Sequence, residues 1–184
     1  GVPILSLAPP APGRHYVVEM SSYQIDLTPT LEPDVAILLC TYNGGRHLQS
    51  QLDTFAAQSG VRCRLLVSDD GSYDDTLPIV KAWAVHNPDI PVTLRNGPRR
   101  GHAANFLSAL CDSGANASYY AFADQDDLWD SDKLSRAVAR LEPCSERPAM
   151  YCGRTRSISE AGTVTGLSPL FSKPPAFRNA LIHN

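Results

Sequence analysis

The chain has 184 residues, 43% of them hydrophobic and 19% charged, with a formal net charge of −3. That length carries one domain with a substantial core and is short for two, and the composition excludes wholesale disorder. The slightly negative balance leaves no basic footprint, so nucleic acid is excluded as a partner.

Cys40, Cys63, Cys111, Cys144 and Cys152 form no C-x-x-C pair and are odd in number. Several lie in apolar runs, where a free thiol behaves as a small hydrophobe. They point to a reduced, cytoplasmic setting rather than a disulfide framework. No segment approaches the roughly 20 apolar residues of a membrane span. The first residues, GVPILSLAPPAPG, have no basic start and too many prolines for a secretory signal.

Residues 1–33 hold Pro3, Pro9, Pro10, Pro12, Pro29 and Pro33, six of the fifteen prolines. Proline lacks an amide donor and fixes φ, so this zone reads as a linker-like arm with one edge strand, Tyr16–Met20. From Asp34 a regular alternation begins. Val35–Cys40 is a continuous apolar run of the kind found in a buried parallel strand. A Gly-Gly turn follows, then a helical pattern with Leu48, Leu52, Phe55 and Ala56 on one face, ended by Gly60. A second strand, Arg64–Ser68, leads into SDDGSYDDT and a helix with Leu77, Val80 and Ala84 on one side, capped by Asp75. A third strand, Ile90–Leu94, precedes a helix with Ala103, Phe106, Leu107 and Leu110 on one face. The fourth strand, Tyr119–Ala123, runs into an acidic cluster and a helix over Lys133–Leu141, with Asp130 and Ser131 as its cap. Beyond it, Ala149–Cys152 reads as a strand and residues 154–166 as a hairpin around Glu160-Ala161-Gly162. Repeated β-α units predict an α/β fold, Rossmann-like, with a mostly parallel sheet and helices on both faces.

In such a sheet, ligands bind outside the C-terminal ends of the strands, near the point where strand order reverses. The polar residues collect at those ends: Thr41-Tyr42-Asn43-Gly44-Gly45, then Ser68-Asp69-Asp70-Gly71-Ser72, then NGPRRGHAAN, then Asp124, Asp126, Asp127 and Asp130. Taken singly, each is an ordinary turn or cap. Four on one sheet edge are harder to dismiss, and their chemistry suits a nucleoside diphosphate. Tyr42 offers a wall for a planar base and Asp69 an acceptor for its imide N–H. Arg99 and Arg100 offer countercharge to the phosphates. Mg²⁺ and Mn²⁺ are hard cations that take one or two carboxylates plus phosphate oxygens, and Asp124-Gln125-Asp126 presents two carboxylates one residue apart.

VAILLCTYNGG, LLVSDDGSYDDT, the loop with Gly101 and Asn105, and FADQDDLWDSDKL resemble the family 2 glycosyltransferases of GT-A fold, above all their rhamnosyltransferase-like bacterial branch. The resemblance covers residues 34–184. It implies a nucleotide site of Thr41, Tyr42, Asn43, Asp69, Asp70, Arg100 and Asp124, and a D-x-D element in which Asp124 and Asp126 hold Mg²⁺ or Mn²⁺. It further implies inverting transfer of a sugar from a nucleotide-diphosphate donor to a saccharide or lipid-linked acceptor hydroxyl. The expected setting is bacterial polysaccharide or cell-envelope synthesis, at the inner face of the membrane. The family's catalytic base belongs to an acceptor half expected beyond Asn184, so no residue here is assigned to it. Residues 13–39, GRHYVVEMSSYQIDLTPTLEPDVAILL, resemble instead the central domain of the Mur ligases, of the UDP-N-acetylmuramoylalanine–D-glutamate ligase type. There the residue matching Glu19 helps to bind magnesium. The G-x-x-G-K-[ST] loop and the Asp-His segment of those ligases are absent from this sequence, so an ATP-dependent ligase fragment ranks last. The change of identity inside one strand suggests a hybrid gene. The alternative to an active transferase is therefore a catalytically incomplete, nucleotide-sugar-binding remnant.

Overall fold

The computed structural model describes residues 34–111, 117–144, 148–159 and 161–169; the arm at 1–33, with its strand Tyr16–Met20, lies outside them. The run VAILLC is apolar throughout because its strand is covered on both faces. It forms most of β1 (Asp34–Thr41), in which no residue from Val35 to Leu39 is more than 1% exposed. Three further strands, β2 (Arg62–Asp69), β3 (Val92–Asn96) and β4 (Tyr119–Ala123), join it in the order β3-β2-β1-β4. All three pairings are parallel.

Parallel neighbours require crossovers, supplied by α1 (Gly45–Ala56), α2 (Thr76–His86) and α3 (His102–Cys111). The β1-α1-β2 and β2-α2-β3 units step one way along the sheet, and β3-α3-β4 steps back past β1. Right-handed crossovers then put α1 and α2 on one face and α3 on the other. Accordingly α1 and α2 pack on each other, while Leu38, Cys40 and Leu66 form a core layer with Ala109 of α3. The step reverses between β1 and β4, which leaves a crevice outside their C-terminal ends.

The strands match their predicted places to within two residues at each end. The helix faces differ. On α1 the buried set is Leu48, Gln51, Leu52 and Phe55, with Ala56 exposed, since the helical period carries the covered stripe through Gln51. On α2 it is Thr76, Val80 and Trp83 rather than Leu77, Val80 and Ala84. On α3 it is Asn105 and Ala109, and Leu107 is 63% exposed. Asn105 fixes that rotation. Its Nδ2 donates to the Ser68 carbonyl (2.8 Å) and its Oδ1 accepts from the Ser68 hydroxyl (2.6 Å), docking the helix on the end of β2. Ala149–Cys152 forms no strand: it is exposed and irregular, without a ladder partner among the described residues.

The chain divides into two compact units after Ser135, with α4 (Lys133–Leu141) crossing the division. In the second unit the expected hairpin is present as β5 (Arg156–Ile158) and β6 (Val164–Leu167), antiparallel with a bulge at Ser157/Ile158. Its turn needs Gly162, whose φ of +77° lies in the left-handed region. Among the described residues no helix is long and apolar enough to cross a membrane.

The start of α2 corrects the predicted cap. Asp75 occupies the cap position but makes no side-chain cap hydrogen bond. Asp74 does so instead. Its carboxylate accepts from the Thr76 N–H (3.0 Å), the Thr76 hydroxyl and the Gly45 N–H (3.0 Å), joining the first turns of α2 and α1. The Thr76 hydroxyl leads these contacts in holding the Asp74 carboxyl below its ordinary 3.8. A depressed folded pKa stabilises the fold above the unfolded value, and that stability is lost as pH falls through the folded one. Asp74→Ala is therefore expected to lower Tm at neutral pH, with the gap from wild type closing as pH drops below 3.8. Thermal melts across that range check it; a gap that persists in acid would contradict the assignment.

Candidate functional site

The parallel register aligns the strand ends: Thr41 pairs with Asp69, Asp69 with Asn96, and β4 ends at Ala123 opposite Leu39. Beyond them opens a cleft of about 710 Å³ whose walls include Thr41, Tyr42, Asp70, Arg99, Asp124 and Asp126, with Cys40 also lining it. It sits at the reversal between β1 and β4. A second cavity of about 740 Å³ lies at the opposite end of the strands, lined among others by Asp34, Arg62 and Pro91. It is the larger, and of the two acids in its lining, Asp34 and Asp89, Asp34 is ion-paired with Arg64. The four polar loops all belong to the first cleft's end of the sheet.

The adjacent acids Asp69 and Asp70 have different surroundings. Asp69 is 5% exposed and lies outside the cleft lining. Its Oδ1 accepts from the hydroxyls of Thr41 (2.8 Å) and Ser72 (2.5 Å), and its Oδ2 from the N–H groups of Gly71 (3.1 Å) and Ser72 (2.8 Å). A carboxylate has about four lone-pair sites, so Asp69 is filled by its own loop and by β1. Asp70 lines the cleft and, among the described residues, accepts two bonds, from the N–H groups of Arg99 (2.5 Å) and Gly101 (2.9 Å). It keeps acceptor capacity toward the cleft. Arg99 takes a left-handed backbone (φ 57°), and its side chain crosses Gly71, with Nε 3.1 Å from a Cβ built there, so a larger residue would require the arginine to shift. Arg99 thus lines the cleft, and Arg100 does not.

Asn43 also lies behind the wall. Its N–H donates to the Ser72 hydroxyl (2.9 Å) and its Oδ1 accepts from the Tyr73 N–H (3.0 Å). The Tyr42 ring is 55% exposed and meets Tyr73 edge-on, with centroids 6.5 Å apart.

The acidic loop rests on α1. Gln51, completely buried, donates from Nε2 to the Asp124 carbonyl. Phe55 packs against Trp129 (centroids 4.7 Å), and Gln58 donates to the Asp130 carbonyl (2.8 Å). Gln51 and Phe55 share one face of α1 at i, i+4, and Gln58 follows just past the helix end. Lys133 lies over the Trp129 ring, 3.7 Å from its centroid, a cation–π contact. Burial holds the Lys133 ammonium below its ordinary 10.5, while Asp127, Asp130 and Asp124 pull it back up. Asp127 is raised above its ordinary 3.8, by desolvation of its carboxyl first and then by Asp124 and Asp126, against Lys133. Lys133 N–H bonds the Asp130 carbonyl (3.0 Å), so Asp130 does stand at the head of α4.

Asp124 and Asp126 are exposed and line the cleft. Among the described residues no hydrogen-bond donor meets either carboxylate. Nor do three or more His, Cys, Asp or Glu side chains converge there as a ready-made metal cage. Two free carboxylates on one wall fit a hard cation that completes its shell with ligand oxygens and water. Of the residues expected from the sequence, the fold thus brings Thr41, Tyr42, Asp70, Asp124 and Asp126 together and keeps Asn43, Asp69 and Arg100 off the cleft wall. Gln51 and Gln125 were not foreseen. A signal for Gln51 existed, as a polar residue inside an otherwise apolar helical stripe.

Residues 36–182 match the family described as Glycosyl transferase family 2. The chain belongs to this family. Among curated relatives, the chain is 34% identical over 102 residues to dTDP-rhamnosyl transferase RfbG of Shigella flexneri, covering 54% of this chain and 35% of that protein. Among solved structures it resembles the mannosyltransferase PcManGT of Pyrobaculum calidifontis in complex with GDP-Man and Mn²⁺. That likeness has a TM-score of 0.55 and 33% identity, over 61% of this chain and 33% of that one. The chain thus spans about a third of the length of these transferases. A separate 39-residue stretch, 21% of the chain, is 69% identical to UDP-N-acetylmuramoylalanine–D-glutamate ligase of Rhodopseudomonas palustris and covers 8% of it. The chain has the mostly parallel sheet with flanking helices expected from its sequence.

Cys40 is 8% exposed, and burial, followed by the nearby Asp124 and Asp70, pushes its thiol up to about 12. The thiolate is the reactive form, so the thiol at the cleft should be inert near neutral pH. Treated with a disulfide reagent at pH 8, the native protein is expected to lose the exposed Cys111 and Cys152 thiols rapidly and to retain Cys40 until denatured. Peptide mapping reads this; labelling of Cys40 as fast as Cys111 would contradict its burial.

Proposed function

We propose that this chain binds a nucleoside diphosphate sugar in the β1/β4 cleft and contributes the donor side of an inverting glycosyl transfer. The observation that carries this reading is the pair of undonated carboxylates, Asp124 and Asp126, facing Tyr42, Asp70 and Arg99 across one cleft. Family membership supplies the reaction class. Asp124 and Asp126 are the residues that would hold Mg²⁺ or Mn²⁺, which when bound offsets the charge gathering on the departing diphosphate. The Tyr42 ring gives the base a wall, and the remaining acceptor sites of Asp70 suit an imide N–H. Arg99 places a fixed cation near the phosphates. Thr41 lines the cleft and ties Asp69 to β1. Asn43 and Asp69 act one layer back, holding the loops that present these groups, and Arg100 is left outside the direct contacts. In the transfer, an acceptor hydroxyl oxygen forms a bond to the anomeric carbon as the bond to the diphosphate oxygen breaks. The nucleoside diphosphate leaves with the electron pair, and the hydroxyl proton passes to a base.

The likeness to a dTDP-rhamnosyl transferase supports a pyrimidine nucleotide donor and a saccharide or lipid-linked acceptor in bacterial envelope polysaccharide synthesis at the inner membrane face. We also take residues 34–184 as the transferase part and residues 1–33 as a Mur-ligase-like arm. The family match beginning at residue 36 and the short ligase likeness support that division.

Calorimetry tests the reading. dTDP or UDP is expected to bind more tightly with Mn²⁺ than without it. Asp126→Asn should remove the Mn²⁺-dependent part, and Asp70→Ala should weaken binding in both conditions. A Mn²⁺-dependent affinity unchanged in Asp126→Asn would sink the assignment.

A further inference from the structure

Beyond the end of the β1–β4 ladder at Leu39 and Ala123, the loops leaving these strands are tied by one side chain. Gln125, the residue between the two carboxylates, accepts from the Tyr42 N–H through Oε1 (2.8 Å) and donates from Nε2 to the Tyr42 carbonyl (3.0 Å). This reciprocal pair copies a backbone ladder rung with a side-chain amide, and both bonds end on the residue that carries the exposed ring. The fit is close. A methyl added at Gly44 would collide with the Gln125 amide, whose Cδ lies 2.7 Å from a Cβ built there. Gly44 itself has φ −95° and ψ 6°, a backbone that alanine adopts without strain. The space taken by the amide, rather than the backbone conformation, therefore calls for glycine. On the far side of Gln125, the carbonyl of Asp124 is held by the buried Gln51.

We propose that Gln125 is a positioning residue that sets Asp124 and Asp126 relative to the Tyr42 wall, so that nucleotide and cation occupy matched places. The inference rests on the functional reading above and deepens it. Asp124 and Asp126 flank Gln125 directly in the chain, so a shift of the Tyr42 loop is transmitted through two hydrogen bonds to the span bearing both carboxylates. With the amide removed, Gln51 still anchors the Asp124 carbonyl, but nothing described sets the distance from the carboxylates to the ring. The loss should therefore appear in the gain that a cation gives to nucleotide affinity, because that gain requires both halves to be in register. Coupling between two ligands is commonly about 5–150-fold.

The test uses the full chain and measures dTDP and UDP affinity by calorimetry with and without Mn²⁺. Variants are Gln125→Ala, which deletes the clamp, Gly44→Ala, which evicts it from the opposite side, and the double variant. Each single change is expected to cut the Mn²⁺-dependent gain about fivefold or more, within the range of such couplings, while binding stoichiometry stays that of wild type. The double variant should be no worse than Gln125→Ala, since Gly44→Ala acts only through the amide. A merely structural role would instead lower stoichiometry and melting temperature and leave the gain intact. A wild-type gain retained in Gln125→Ala, or losses that simply add in the double variant, would overturn the clamp while leaving the functional reading standing. A wild type that shows no Mn²⁺-dependent gain would remove both.

Discussion

The site depends on how five carboxylates are accommodated at one edge of one sheet. Asp69 ends β2, Asp70 and Asp74 lie in the loop from β2 to α2, and Asp124 and Asp126 lie in the loop after β4. Like charges so placed repel. The fold answers mainly with backbone and hydroxyl donors. Asp69 takes four, Asp74 three and Asp70 two, so turns and helix starts are tied together by the same groups that would otherwise repel. Asp124 and Asp126 receive none among the described residues. The gradient from filled to open acceptors separates carboxylates that build the edge from carboxylates available to a ligand.

That separation needs the acidic loop to stay put without donors on its side chains, and its main chain is gripped instead. α1 holds it at Asp124 through Gln51 and at Trp129 through Phe55, and Gln58, just past the helix end, holds it at Asp130. Lys133, set over Trp129, brings a partly buried cation behind the acids. Trp129 beneath it is 6% exposed, while Asp124 and Asp126 at the front of the loop are exposed. The same helix begins at Gly45, whose N–H is bound by Asp74 from the neighbouring loop. A single helix therefore ties the β1, β2 and β4 ends together.

The sequence made the strands plain, because a strand covered on both faces must be apolar at every position, as Val35–Leu39 is. It made the helix faces much less plain. Gln51, Thr76 and Asn105 are buried polar residues that interrupt the hydrophobic stripes, and each makes a hydrogen bond to a partner 32 to 73 residues away. Periodicity cannot see such partners. The contrast between Asp69 and Asp70 was hidden for a related reason: adjacent residues at a strand end point to different sides, and only the register decides which side is the cleft. Gln125 read as a spacer between two acids, since its partner is the backbone of Tyr42, and backbone groups leave no trace in composition. Ala149–Cys152 had the apolar content of a strand but no ladder to join among the described residues.

Two cavities of similar volume lie at opposite ends of the sheet, and the account requires the ligand to occupy the β1/β4 end. Paramagnetic broadening of backbone amide signals by Mn²⁺, in the presence of dTDP or UDP, separates them most directly. Broadening is predicted to centre on Asp124–Asp126 and to spread to Tyr42, Asp70 and Gly101, while Asp34, Arg62 and Thr93 at the opposite end stay sharp. Broadening centred on Asp34 and Arg62, or spread evenly over the surface acids, would contradict it.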